Sequence, residues 1–342
     1  MPNVAADDLR PLMRRILEAA DTPPETARAV GDSLVDANLA GHDSHGVIRV
    51  LHYVEMAQNG KVDPASVAAI LSRHGATARI DGGWGWGQPS MWLATRTAID
   101  LAAAHGIGAV TVGRCYHIGR VAPYVEAIAR AGQIGIAFAN AGPAVAPYGG
   151  RTRVMGTNPI AWAVPRADGA APICLDIATA AIAEGKLRVA RAKGVPVPPG
   201  MIVDAAGEPS LDPNDFYDGG ALLAFGAHKG SGFSILAQMI GVGIAGASAA
   251  MLGERRGGNG PFVIAIDIAA FTPIDEFIAA VEGEVDRIHG AAPSAGFDRV
   301  QLPGEPELAI RAQRLLDGIP VPDRTWTDLQ TLATQLGVGA LG

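Results

Sequence analysis

The stretch GFSILAQMIGVGIAGASAAMLG, residues 232–253, carries no formal charge. How it is read decides the fold, and three readings compete. It is long enough to cross a bilayer as a helix. It holds Gly241, Gly243 and Gly246 in the G-x-G-x-x-G spacing with which a βαβ unit cradles a pyrophosphate. It also suits a helix buried inside a folded domain. Ser234, Gln238, Ser248, the internal glycines and the lack of aromatic flanks argue against a membrane span. The phosphate-cradling motif needs a strand before it and an acidic residue about 20 positions on. Here the glycines lie inside the uncharged run, Glu254 is too near and Asp267 too far. The expectation is a long buried helix whose small residues let another element or subunit approach closely.

The rest of the chain supports a globular protein. Hydrophobic residues are 49% of the 342 and charged residues 18%, the reverse of the balance that keeps chains disordered. A chain of this length holds two or three domains. The net charge of −7, with no basic run, argues against nucleic-acid binding. Cys115 and Cys174 are too few for a disulfide framework or a thiolate zinc site. Asp7, Asp8, Arg10, Arg14 and Arg15 leave no room for a signal-peptide core, so a reduced cytoplasmic compartment is expected.

Outward from the uncharged run, the middle of the chain alternates. Strands are predicted at 107–112, 134–139, 160–165, 173–177 and 263–268, with helices at 90–105 and 121–130. That order indicates an α/β sheet. Two further strands are expected at 67–72 and 76–81. The N-terminal third reads helical. Thr22 with Glu25 forms a capping-box pattern opening a helix to about Leu39, stopped by Gly41. Val47, Val50, Leu51 and Val54 make one face of a second helix, from about Ser44 to Gly60. Helices are also expected at 305–316 and 325–336. The stretch 142–159 reads as a loop and 195–200 as a stiff linker.

The densest polar cluster is GHDSHGVIR, 41–49. His45 and Arg49 are spaced to share a helix face. An arginine can clamp a carboxylate with two parallel hydrogen bonds, and a histidine beside it can move the proton of an adjacent hydroxyl. That pairing suits a 2-hydroxy or 2-keto acid. Capping by Asp43 or Ser44, with both cations solvated, is the competing reading. No third ligand supports a metal at His42 and His45, and no metal is expected. Tyr116-His117-Ile118-Gly119-Arg120 lies between a predicted strand and a helix, where ligand sites gather. Thr157, the segment 176–186 and His228-Lys229-Gly230 complete the set.

Taken together and in order, these residues resemble the malate/L-lactate dehydrogenase family, which is distinct from the Rossmann malate dehydrogenases. The resemblance runs nearly end to end. It rests on GHDSHGVIR (41–49), HIGR (117–120), APYGG (146–150), GTNP (156–159), DIAT (176–179), EGK (184–186), KGVPVPPG (193–200), HKG (228–230) and LPGEPE (302–307). Within the family, the LAGHDSHG and KGVPVPPG stretches are most similar to the hydroxycarboxylate dehydrogenase B type.

The resemblance implies a mixed α/β fold: a non-Rossmann, mixed-sheet cofactor domain and a helical domain, sulfolactate dehydrogenase-like. The helical domain would take 1–75. The cofactor domain, 76–260, would carry the long buried helix, and 261–342 would return to the helical part. It further implies a nicotinamide cofactor, NAD ahead of NADP, a 2-keto or 2-hydroxy acid substrate and an intertwined homodimer. His45, next to Ser44, would be the proton donor, with His117 the rival for that role. Arg49 would bind the substrate carboxylate, with Thr157 and Lys186 near the substrate. The cofactor residues would be His45, Arg120, Val121, Ala122, Leu175, Asp176, Ile177, Ala178, Thr179, His228, Lys229, Gly304, Glu305, Pro306 and Glu307.

Three residues depart from the family pattern. Lys186 stands where the imine-reducing branch has an aspartate, which favours a keto acid over a cyclic imine. Ala180 replaces a common serine, a mild hint of a dinucleotide or metabolite sensor without catalysis. Arg49 stands where the hydroxycarboxylate dehydrogenase B type has an apolar residue, which moves the substrate profile towards the wider family.

Overall fold

Apolar alternation in the middle of the chain becomes a sheet, and 3.6-residue periodicity towards both ends becomes helices. The computed structural model describes residues 1–167, 169–254 and 257–339. The first half contains β1 (Asn3–Val4), α1 (Ala6–Glu18), α2 (Pro24–Leu39), α3 (Arg49–Gln58), β2 (Ala69–His74), β3 (Thr77–Asp81), α4 (Gly87–His105), β4 (Ile107–Gly113), α5 (Ala122–Arg130), β5 (Gln133–Asn140) and β6 (Ile160–Val164). There follow β7 (Ile173–Ile177), α6 (Glu184–Lys193), β8 (Ile202–Val203), β9 (Pro209–Ser210), α7 (Pro213–Tyr217), β10 (Ala221–Leu222), α8 (His228–Gly243) and α9 (Ala249–Glu254). The chain continues through β11 (Gly260–Asp267), α10 (Ile274–His289), α11 (Glu305–Asp317), β12 (Ile319–Pro320) and α12 (Asp323–Gln335).

Seven strands form one mixed sheet in the order β2-β3-β4-β11-β5-β6-β7. The β3–β4 pair is parallel and the other pairs are antiparallel. Val110, Val112, Ala137 and Val263 of the sheet share a core with Met91 and Ala98 of α4 and with Val125 and Ile128 of α5. A second core joins both ends of the chain. Leu9, Leu12, Met13 and Ile16 of α1 pack with Leu34 of α2, with Val50 and Tyr53 of α3, and with Ile319, Leu329 and Ala333. The charged N-terminal segment is therefore itself a helix, formed by an apolar face at helical spacing. Trp86 and Tyr116, which flank the sheet elements, reach into this helical core.

The structure corrects two expectations. First, the uncharged run is not one long buried helix. α8 ends at Gly243, the chain turns through Gly246 at φ 72°, and α9 begins at Ala249. No described helix is long and apolar enough to cross a membrane. α8 is also sided in the opposite sense to a core helix. Its inward residues are Gly230, Ser234, Ala237, Gln238 and Gly241. Phe233, Leu236 and Met239 are 50%, 46% and 62% exposed. The inward face is small and polar because it meets a polar layer. Asn158, fully buried, donates from Nδ2 to Ser234 O at 2.9 Å and to Gln238 Oε1 at 3.1 Å. A Cβ on Gly241 would fall 2.3 Å from the Asn140 side chain, so glycine there is required by close approach. The G-x-G-x-x-G spacing thus reflects packing and a turn.

Second, the capping box does not form. Thr22 caps nothing: the N-cap of α2 is Pro23, with no side-chain hydrogen bond. Thr22 Oγ1 instead accepts from Trp86 Nε1 at 3.0 Å. A buried indole N–H needs an acceptor, and this demand takes the hydroxyl.

Gly87, at the start of α4, admits the backbone that carries the second histidine. A Cβ there would lie 2.4 Å from Tyr116 O and 2.5 Å from His117 O. Gly87→Ala is expected to displace that segment and cost about 1–3 kcal/mol of overpacking. Thermal unfolding beside wild type checks it, and an unchanged melting temperature would contradict the crowding.

Candidate active site

A short 3₁₀ turn, Asp43–His45, precedes α3, which opens only at Arg49. The helix therefore does not start near Ser44, and His45 and Arg49 do not share its face as their spacing predicted, because extended backbone at Gly46 separates them. Buried Asn38 organises the turn. Asn38 Oδ1 accepts from Val47 N at 2.7 Å, and Nδ2 donates to Asp43 Oδ1 at 2.6 Å. Arg314 of α11 also holds Asp43, at 2.6 Å. On this turn Ser44 Oγ lies 3.1 Å from His45 Nδ1. Arg49 Nε donates to Ser44 O at 2.7 Å, which spends one donor and steadies the guanidinium against the turn. Asp43 and Ser44 cap no helix with their side chains.

His117 arrives from the β4–α5 loop. Its ring stacks on that of His45, with centroids 5.5 Å apart and planes 22° from parallel. The loop is well anchored. Ile118 N donates to Asn259 Oδ1 at 3.1 Å, and Tyr124 Oη donates to Ile118 O at 2.7 Å. Behind His117, Tyr53 Oη lies 2.7 Å from Nδ1 and accepts from Gln88 Nε2 at 3.0 Å.

Burial pulls His45 down to about 3, helped by the charges of Arg49, His42 and Arg120. Burial likewise holds His117 well below its ordinary value, with Arg49, His45 and His52 adding to it. Both rings are therefore neutral at physiological pH.

Asp176, on β7, binds both sides of this region. Its Oδ2 accepts from Val121 N at 2.8 Å and Ala122 N at 2.7 Å, so a distant carboxylate satisfies the start of α5. Arg120 Nε is 4.0 Å from the same oxygen and, although buried, has no hydrogen-bond partner. Leu175, Ile177 and Ala178 flank Asp176 on and after the same edge strand. Thr179 then donates from N and Oγ1 to Thr157 O, at 2.9 and 3.0 Å.

On the C-terminal side, Glu307 Oε1 lies 3.6 Å from His42 Nε2, and this contact lowers the Glu307 carboxyl. Gly304 packs at φ 94° against the Cys174 backbone, and Pro306 occupies the first turn of α11. Glu305 faces elsewhere: it binds His289 at 2.8 Å and Leu302 N at 3.2 Å. Lys186 is exposed on the first turn of α6. That turn meets the site through Gly185, where a Cβ would stand 3.0 Å from Ser44 Cβ. His228 and Lys229 open α8. His228 packs edge-on to Tyr148, and no described hydrogen bond, ion pair or ring contact joins either residue to the histidine pair. They adjoin a separate cleft of about 880 Å³, lined by Tyr148, Gly150, Met201, Phe225 and Ala227 among others.

The profile of a family described as Malate/L-lactate dehydrogenase matches residues 4–330. The chain belongs to this family. It is 35% identical to L-lactate dehydrogenase of Cupriavidus necator, over 98% of each chain. It is 33% identical to hydroxycarboxylate dehydrogenase B of Escherichia coli O157:H7, over 97% of this chain and 94% of that one. The solved structure of sulfolactate dehydrogenase from Methanocaldococcus jannaschii matches with a TM-score of 0.91 at 32% identity, over 99% of this chain and 98% of that chain. Membership of the malate/L-lactate dehydrogenase family makes this protein an oxidoreductase of 2-hydroxycarboxylates.

Sequence reading missed Tyr53 and Gln88 as support of the site, and it gives Asn158 only as a donor on a constrained turn. Tyr53 and Gln88 look like core residues of two unrelated helices, and they reach His117 only in the folded chain. Asn158 sits within a motif stretch, GTNP, but nothing local announces that its amide bridges Ala141 N and α8. Among the described residues, no group of three or more His, Cys, Asp or Glu side chains could hold a metal.

Proposed function

We propose that this protein is a nicotinamide-dependent reductase of 2-keto acids, reversible as a 2-hydroxy acid dehydrogenase, with NAD as the expected cofactor ahead of NADP. The observation that carries the reading is the stacked His45–His117 pair, held neutral beside Arg49 on a turn buttressed by Asn38. The residues fit a dinucleotide, because buried Arg120 Nε is an unpartnered donor that an anionic ligand oxygen can satisfy. When bound, the nicotinamide supplies or takes up the hydride at substrate C2. Arg49 keeps its terminal N–H groups for the substrate carboxylate. His45, steadied by Ser44, exchanges the proton of the C2 oxygen. Thr157 and Lys186 border the substrate. Val121, Ala122, 175–179, Gly304, Pro306 and Glu307 would line the cofactor. Glu305, bound to His289 and Leu302 N, and His228 and Lys229, beside the other cleft, would reach it only after rearrangement.

The exposed apolar face of α8 supports a homodimer in which a second copy covers Phe233, Leu236 and Met239. Two buried, unpaired cysteines agree with a cytoplasmic setting.

The test is loss of NADH or NADPH absorbance with a panel of keto acids. Turnover of at least one acid is expected, and binding of NADH without turnover of any acid would favour a sensor. Arg49→Ala should raise KM for the best acid by about 10–100-fold, as befits loss of a charge-assisted hydrogen bond, with a smaller effect on kcat. An unchanged KM would remove Arg49 from carboxylate recognition.

A further inference from the structure

Tyr53 and Gln88 are completely buried, one on α3 and the other on the first turn of α4. Their polar atoms form a chain that ends on an active-site ring. Gln88 Nε2 donates to Tyr53 Oη at 3.0 Å, and Tyr53 Oη lies 2.7 Å from His117 Nδ1. A phenol has a single proton to give. With the amide N–H already donating to its oxygen, that proton is directed at Nδ1. An Nδ1 that accepts leaves the neutral imidazole with its proton on Nε2.

We propose that Tyr53 and Gln88 are positioning residues that hold His117 as the Nε2–H tautomer, a fixed hydrogen-bond donor, and so leave proton exchange to His45. The inference rests on the keto-acid reading of the site, but its primary readout needs no substrate.

The packing gives the phenol little freedom. Its ring stacks on Trp86 at 5.1 Å and meets Tyr116 edge-on at 5.6 Å. Trp86 is itself tied to Thr22 by its indole N–H. Burial pushes Tyr53 up to about 12, so the phenol keeps the proton it must donate. The charged and titratable groups acting on His117 are Arg49, His45 and His52, and all of them disfavour the imidazolium. His45 lacks such a lock. Its Nδ1 faces the Ser44 hydroxyl at 3.1 Å, and a hydroxyl can turn to donate or accept as the ring gains or loses a proton. The stacked rings thus differ in kind: His117 offers a constant N–H and His45 an exchangeable one.

The test is two-bond ¹H–¹⁵N correlation on protein labelled at histidine, with the His117 signals identified by their loss in His117→Asn. Wild type is expected to show Nδ1 unprotonated and Nε2 protonated. Tyr53→Phe keeps the ring packing and removes the hydroxyl, and it should give averaged shifts from both tautomers. Its kcat on the best keto acid should fall about tenfold, the worth of one hydrogen bond, while KM stays within about twofold. Gln88→Leu frees the phenol to donate or accept and should produce partial averaging. Nδ1–H in wild type, the state that a turned Gln88 amide would impose, overturns the proposal. So does an unaltered Nε2–H signal in both variants. If Tyr53→Phe fails to fold, wild type and Gln88→Leu decide the matter. Absence of turnover in wild type would count against the keto-acid reading and leave the tautomer measurement standing. Nδ1–H with full turnover would count against this inference alone.

Discussion

His45→Ala is expected to lower kcat by about 10²–10⁴-fold, the usual worth of a positioned general acid or base. His45 ends the 3₁₀ turn with Ser44 behind Nδ1, and Arg49 opens α3 and donates back to the turn at Ser44 O. Its low resting pKa bears on how it works. At about 3, the ring is neutral in the free enzyme at physiological pH. Two of the depressing influences are Arg49 and Arg120, and an anionic substrate held at Arg49 offsets the first. The ring is therefore expected to become more basic as substrate binds, which suits the proton exchange proposed for it. The pH profile should show this as a higher pKa in kcat than in kcat/KM, because the former reports the bound enzyme and the latter the free enzyme. His117→Ala should cost less. If His117→Ala abolishes turnover and His45→Ala does not, the two roles must be exchanged.

The fold is expected to lose stability steeply on mild acidification, by about 3 kcal/mol between about pH 7.5 and about pH 5.5 from these two histidines alone. In the unfolded chain each takes up a proton below about pH 6.5. In the folded chain both remain neutral, His45 down to about 3 and His117 also well below its ordinary value. The unfolded state therefore binds more protons throughout that interval. The stability these groups contribute is complete above about pH 6.5 and is lost as pH falls towards the folded values, at up to about 1.4 kcal/mol per pH unit for each. Urea unfolding at several pH values, for wild type and for His45→Gln/His117→Gln, measures the slope independently of the absolute stability. The double variant should flatten it. Equal slopes would show that the histidines are not held neutral. A bound anion should also flatten the wild-type slope, because it removes part of the electrostatic cause.

Much of the architecture was legible locally. The strands at 107–112, 134–139, 160–165 and 173–177 appear within a residue or two of their predicted ends, because strand alternation is a short-range property. The helices end as predicted at His105 and Arg130, although α4 starts at Gly87, three residues ahead of its predicted start. The two-residue strands β8, β9 and β10 carry too few positions to show a period. α1 had its period but also Pro11 and a dense set of charges, and those drew the reading towards what the segment was not.

The site divides in the same way. His45, Ser44 and Arg49 stand together in sequence, so residue types and spacing suggested a carboxylate-and-proton cluster, with helix capping and solvated cations as an equal alternative. Family membership followed from ordered motifs, again a property of the sequence. Only the tertiary structure decided which face of α8 turns inward, since the answer depends on Asn158 meeting Ser234 and Gln238 across 76 and 80 residues. Only it decided that Thr22 serves Trp86 in place of its own helix. Only it joined Tyr53 and Gln88 to His117, because buried polar atoms take whichever partners the fold brings within reach, and those partners lie 64 and 35 residues from Tyr53.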